Sequence, residues 1–84
     1  MIPRIVNASY LRDYKVYLEF QDGRKGVVDL EDCVGRGGVF APLKELKEFR
    51  KLRLDPKLHT ITWENGADLA PEFLYQRLHD TPLH

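Results

Sequence analysis

Two carboxylates beside a tight turn could do acid–base chemistry. Glu64 and Asp68 flank an Asn65-Gly66 pair, and two carboxylates brought together by a turn can act as acid and base. An enzyme centred on Glu64, Asn65 and Asp68 is therefore one reading of the chain. A solvated turn rimmed by acids has the same sequence. Cys33 is the single thiol. As a nucleophile it would need a base such as His59 and an orienting group, and nothing local supplies them. His59, His79 and His84 do not show the spacing of metal-binding pairs, and there is no second cysteine for a zinc site. Arg36-Gly37-Gly38 lacks the spacing of a phosphate-cradling loop and reads as free backbone. These residues lead us to expect no catalytic residue, no cofactor and no metal.

The elements that would position these groups follow from periodicity. Arg4 to Leu11 alternates as a strand with Val6, Ala8 and Tyr10 on one face. Lys15 to Phe20 repeats the pattern more cleanly, with Val16, Leu18 and Phe20 inward. Asp22-Gly23 predicts a type I′ hairpin turn, and Lys25 to Leu30 returns as a third strand. Glu31 to Val34 fits one turn of helix. Leu43, Leu46 and Phe49 then recur every three residues, which predicts a helix entered through Pro42. Leu52 and Leu54 alternate as on a strand, and Asp55-Pro56-Lys57 turns the chain. His59 to Glu64 returns with Ile61 and Trp63 inward. After the Asn-Gly turn, Ala67 to Leu69 is extended, and Pro71 to Leu78 forms a helix. Proline at 71 pushes the preceding residue out of the α region, so Ala70 takes the N-cap position. Asp68 is left on the short strand, bonded so as to hold the turn against the helix start. The expected fold is α+β: a small antiparallel sheet, made of an N-terminal three-stranded meander plus a C-terminal hairpin, with two short helices. Residues 1–80 form a single domain and 81–84 a frayed tail.

Composition limits what such a domain can do. Thirteen basic residues balance thirteen acidic ones, which argues against a strong non-specific nucleic-acid binder. The charges are nonetheless segregated along the chain. Lys44, Lys47, Arg50, Lys51 and Arg53 form a candidate basic patch, and Glu19 to Asp32 is mainly acidic. A lone cysteine suits a reducing cytoplasm. Pro3 and Arg4 interrupt any apolar leader, and no apolar run approaches the length of a membrane span. A cytoplasmic, soluble protein is expected.

Val39-Phe40-Ala41-Pro42-Leu43, then Asp55-Pro56, then Trp63-Glu64-Asn65-Gly66-Ala67-Asp68-Leu69-Ala70-Pro71-Glu72-Phe73-Leu74-Tyr75 give the order of motifs of a bacterial family, domain of unknown function 2442, which the chain resembles over nearly its whole length. The resemblance implies a small α+β domain with no activity or cofactor to carry over. Some relatives resemble this domain fused to a helix-turn-helix module. Others lie beside small partner genes, as in toxin–antitoxin pairs. The chain is too short after Leu78 for the fused module, so the expectation moves away from DNA. It is for a non-enzymatic protein-interaction module, the antitoxin-like half of a two-gene system, that binds a small protein partner. Trp63, Asn65, Gly66, Asp68, Pro71 and Tyr75 are its candidate interaction or structural motif, with Tyr75 an edge aromatic of the kind that anchors interfaces. The rival reading is a nucleic-acid-binding or transcription-regulatory domain using the basic patch. Strand edges also allow a homodimer.

Overall fold

The structure, a computed structural model, describes residues 2–80. The expected frayed tail at 81–84 lies outside the described residues. The fold is α+β, with a three-stranded antiparallel sheet, a two-stranded hairpin and short helices. Strands β1 (Ile5–Arg12), β2 (Lys15–Phe20) and β3 (Lys25–Asp29) form the larger sheet in that order. Helix α1 (Glu31–Val34), a 3-10 segment over Gly38–Lys44 and helix α2 (Leu46–Phe49) follow. Strands β4 (Arg53–Asp55) and β5 (Thr60–Thr62) pair as the hairpin, and helix α3 (Pro71–Asp80) closes the chain.

One face of the larger sheet supplies most of the core. Val16, Leu18 and Phe20 of β2 are buried, as period-two alternation requires. In β1 the inward residue is Ile5 and not Val6, which is half exposed. The cause is a register shift: Ile5 pairs with Phe20 but Asn7 pairs with Glu19. A bulge of this kind inserts one residue and flips the side chains before it. Beyond the bulge, Ala8 and Tyr10 face inward as the alternation predicts.

The elements above the sheet are anchored at its two flanks. On the β1 side, Ile5 N–H donates to the carbonyl of His59 (2.9 Å), joining the sheet to the β4–β5 hairpin. On the β3 side lies α3, with Leu74 and Leu78 buried at i, i+4. The helix expected from Leu43 to Arg50 is broken. Glu45 is extended (φ −73°, ψ 117°) between the 3-10 segment and α2. Leu43 and Phe49 stay buried, but Leu46 falls on the far side of the break and is 40% exposed. The short strand expected from Ala67 to Leu69 is reduced to one bridge, Thr62 to Asp68.

Both Asx-Gly turns take the same form, and it is not type I′. Phe20 accepts from Gly23 N–H and donates to Arg24; Trp63 accepts from Gly66 N–H and donates to Ala67. Only the glycines have positive φ, +96° at Gly23 and +94° at Gly66. This is a type I turn closed by a glycine bulge, the common three-residue hairpin loop. The Asx side chain adds a bond inside each loop, from Arg24 N–H to Asp22 Oδ1 (3.0 Å) and from Ala67 N–H to Asn65 Oδ1 (3.1 Å).

Candidate functional site: a cleft between the 3-10 segment and the Asn-Gly turn

Trp63 follows β5 directly, and the alternation of that strand turns its indole inward. It is 4% exposed, packed at 5.7 Å from the Phe49 ring and 6.5 Å edge-on from Phe40. Its Nε1–H donates to the carbonyl of Phe49 (2.8 Å). That carbonyl ends α2, where helix carbonyls have no partner within the helix. The indole therefore sets the height of α2 above the hairpin. Tyr10 and Tyr14 clamp Phe49 from the sheet, at 6.0 Å and 5.2 Å.

Asn65 fixes the neighbouring segment. Its Nδ2 donates to the carbonyl of Val39 (2.9 Å), while its Oδ1 closes its own turn. Both ends of the amide are thus committed to structure. Tyr14 completes the frame by donating its hydroxyl to the carbonyl of Lys44 (2.6 Å).

Between these braces lies a small cleft lined by Pro42, Leu43, Glu48, Lys51, Trp63, Glu64 and Asn65, with a volume of about 60 Å³. Small-molecule sites usually enclose about 300–1,000 Å³, so this cleft is much smaller than an ordinary metabolite site. The two signature segments, Val39–Leu43 and Trp63–Tyr75, meet here. On the segment from Val39 to Leu46, Val39 is 47% and Leu46 40% exposed, and Ala41 and Pro42 are also exposed.

The five basic residues surround the same segment. Lys44, Lys47, Arg50, Lys51 and Arg53 are all exposed. Lys51 reaches Glu48 at 3.3 Å on the cleft wall. The other four carry no ion pair among the described residues. Two acids, Glu45 and Glu48, interrupt the run. The opposite flank is acidic. There Arg77 of α3 makes a two-pronged contact with Asp32 of α1 (2.7 and 2.8 Å) and donates to the carbonyl of Asp29 (3.0 Å). Hydrogen bonding to Arg77 holds the Asp32 carboxyl below its ordinary range despite some burial. The hairpin bearing Arg53 borders β1 and α3 borders β3, while α1, which bears Asp32, packs against the 3-10 segment that ends at Lys44.

The remaining candidates fall in different places. Tyr75 sits over the β2–β3 turn: its hydroxyl donates to Asp22 Oδ2 (2.6 Å), its ring meets Phe20 edge-on, and Arg24 lies over it at 5.3 Å. Its polar end is engaged within the chain. Asp68 is exposed, and no side-chain hydrogen bond is found for it among the described residues. The turn-holding role expected of Asp68 belongs to Asn65. Pro71 opens α3, whose first bond runs from Leu74 N–H to Ala70, placing Ala70 at the cap as the proline implies. Cys33 is buried, and burial pushes its thiol up, away from the thiolate a nucleophile needs. Among the described residues no group of three His, Cys, Asp or Glu side chains gathers as a metal site, and no helix is long and apolar enough to cross a membrane. Sequence reading missed Glu48 in the cleft wall and the Arg77–Asp32 clamp. The i, i+3 spacing of Glu48 and Lys51 could have signalled the former, whereas the clamp joins residues 45 apart.

Residues 5–80 match the family model described as "Protein of unknown function (DUF2442)", and the chain belongs to that family. No curated protein matches it. Among solved structures it is similar to the crystal structure described as "Putative DNA Binding Protein NE0471" from Nitrosomonas europaea, with a TM-score of 0.80 at 15% identity. The match covers 93% of this chain and 50% of that one, so the chain spans about half the length of its structural relative.

Proposed function

We propose that this DUF2442 domain is a non-enzymatic interaction module that docks a small protein partner carrying an acidic surface. The observation that carries the reading is the convergence of both signature segments on one side-chain-sized cleft. That cleft is lined by Pro42, Leu43, Lys51, Glu48 and Glu64, and the exposed Val39, Leu46, Lys44, Lys47 and Arg50 stand on the same segment of chain. An apolar centre with a charged rim is the usual anatomy of a protein-docking surface. Trp63 and Asn65 support the cleft from beneath with bonds already satisfied, so their place is in holding a shape. The resemblance of some relatives to two-gene, antitoxin-like pairs gives the partner a source, the neighbouring gene.

Nucleic acid is the second reading, favoured by the fold shared with NE0471 and by Lys44, Lys47, Arg50 and Arg53, which carry no ion pair among the described residues. Backbone phosphates would then replace the acidic protein surface. One pair of experiments separates the two. The tagged chain is used to capture proteins from the source organism, with the neighbouring gene product as defined bait, and is also titrated with duplex DNA in a gel-shift assay at low salt. Capture of the neighbour without a shift supports protein docking. A shift that weakens steeply with salt, without capture, replaces it with the second reading.

A further inference from the structure

The larger sheet ends in β3, and its hydrogen bonds fix which backbone groups face outward. Phe20 N–H donates to Arg24 (2.7 Å) and Leu30 N–H donates to Tyr14 (2.9 Å). Val28 opposite Val16 and Gly26 opposite Leu18 lie on the same register. Bonded and non-bonded pairs alternate along an antiparallel ladder. Arg24, Gly26, Val28 and Leu30 are therefore the residues bonded to β2, and Lys25, Val27 and Asp29 aim N–H and C=O away from the sheet. Their side chains share the outer face, because Val28 and Leu30 are buried on the inner one. Lys25 and Asp29 are exposed, and Val27 is half-buried opposite Tyr17. The other edge of the sheet differs: β1 gives its Ile5 N–H to His59.

We propose that β3 pairs antiparallel with β3 of a second copy of this chain, about a two-fold axis through Val27. The sequence Lys25-Gly26-Val27-Val28-Asp29 carries opposite charges at equal distances from its centre. In that register Val27 meets Val27, and Lys25 of each copy faces Asp29 of the other across the outer face. Directly opposed opposite charges stabilise a cross-strand pair and like charges oppose it. The outward N–H and C=O of Val27 exchange bonds with those of Val27 in the other copy, and Lys25 pairs with Asp29 of the other copy, whose carbonyl takes the Lys25 N–H on the lone pair that Arg77 leaves. At the far end, the Asp29 carbonyl accepts from Arg77 and its Oδ1 accepts from Glu31 N–H, leaving Oδ2 for the lysine. A lysine at a sheet edge normally repels foreign strands; here it selects a strand with an acid four residues on. The interface lies on the flank of the sheet away from the β4–β5 hairpin and does not depend on the cleft reading.

Sedimentation equilibrium on the full chain tests this, with circular dichroism as a check on folding, since Lys25 also faces Glu19 in β2. Wild type should have the mass of a dimer. Lys25→Glu makes every cross-strand pair acidic and Asp29→Lys makes every pair basic, so each alone should be monomeric. Mixed in equal amounts, they should regain the dimer mass as a heterodimer. Val27→Pro removes an N–H that β2 does not use, so it should stay folded and be monomeric. A monomeric wild type overturns the proposal. So does a folded Val27→Pro variant that dimerises like wild type, or a folded Lys25→Glu variant that does.

Discussion

Replacing Trp63 by Phe isolates what the indole nitrogen does for the cleft. Phenylalanine keeps a ring against Phe49 and Phe40 but cannot donate to the Phe49 carbonyl. That carbonyl keeps the Leu52 N–H (3.2 Å), so the change loses one hydrogen bond, at a cost of about 0.5–1.5 kcal/mol. The missing part of the indole leaves a void on the order of 40 Å³, worth ~1 kcal/mol at ~24 cal/mol per Å³. Together these give about 1.5–2.5 kcal/mol. A domain of this size has ~4–13 kcal/mol in all, and each kcal/mol moves the midpoint by about 4–8 °C. A fall of at least ~6 °C is therefore expected. Thermal unfolding followed by far-ultraviolet circular dichroism is the assay, because the variant has no tryptophan to report by fluorescence. Phe40→Leu is the control: it loses an edge contact with Trp63 but no hydrogen bond, and should cost about 1 kcal/mol. If Trp63→Phe costs no more than Phe40→Leu, the indole bond does not hold α2 over the hairpin and the account of the cleft floor fails.

Asn65→Ala removes the bonds to Val39 and Ala67 and should lower stability by about 1–2 kcal/mol, whereas Asp68→Ala should stay within ~0.5 kcal/mol; denaturant midpoints in the reverse order would return the turn to Asp68. Gly66→Ala meets no atom within 4 Å but forces a side chain to φ +94°, so a loss of about 1–2 kcal/mol is expected from backbone strain alone, and an unchanged midpoint would contradict the turn geometry. The Asp32 carboxyl is held low in the folded state by Arg77, so its contribution is complete above the unfolded carboxyl range and is lost as pH falls through the folded value. Arg77→Met should therefore reduce the loss of stability on acidification, by a small, salt-sensitive amount because the pair is largely exposed; an acid limb identical to wild type would show that the clamp contributes nothing.

The strands were legible because their signal is local. Val16, Leu18 and Phe20 alternate without interruption, and β2 runs from Lys15 to Phe20 as the pattern reads. The bulge at Val6 was not legible, since Ile5 and Val6 are equally apolar and only pairing with Phe20 decides between them. The break at Glu45 was hidden for a related reason. Three-residue spacing fits a 3-10 turn as well as an α-helix, and no glycine or proline marks the extended residue. At the site, the Asn-Gly pair announced a turn, but the reach of Asn65 to Val39 spans 26 residues. The commitment of Tyr75 to Asp22 spans 53. Such contacts are set by the packed core, and no window along the chain contains them. The same limit explains why Asp68, close in sequence to the turn, was given a role that Asn65 fills.

The central claim is that the basic rim of the cleft receives an acidic protein. Its most direct test is capture of the neighbouring gene product by the wild-type chain and by a Lys47→Glu/Lys51→Glu variant, both confirmed folded, over a series of salt concentrations. The account predicts that wild type retains the partner, that retention weakens as salt rises, and that the variant loses it. Equal retention by the variant, or none by wild type at any salt, would contradict it.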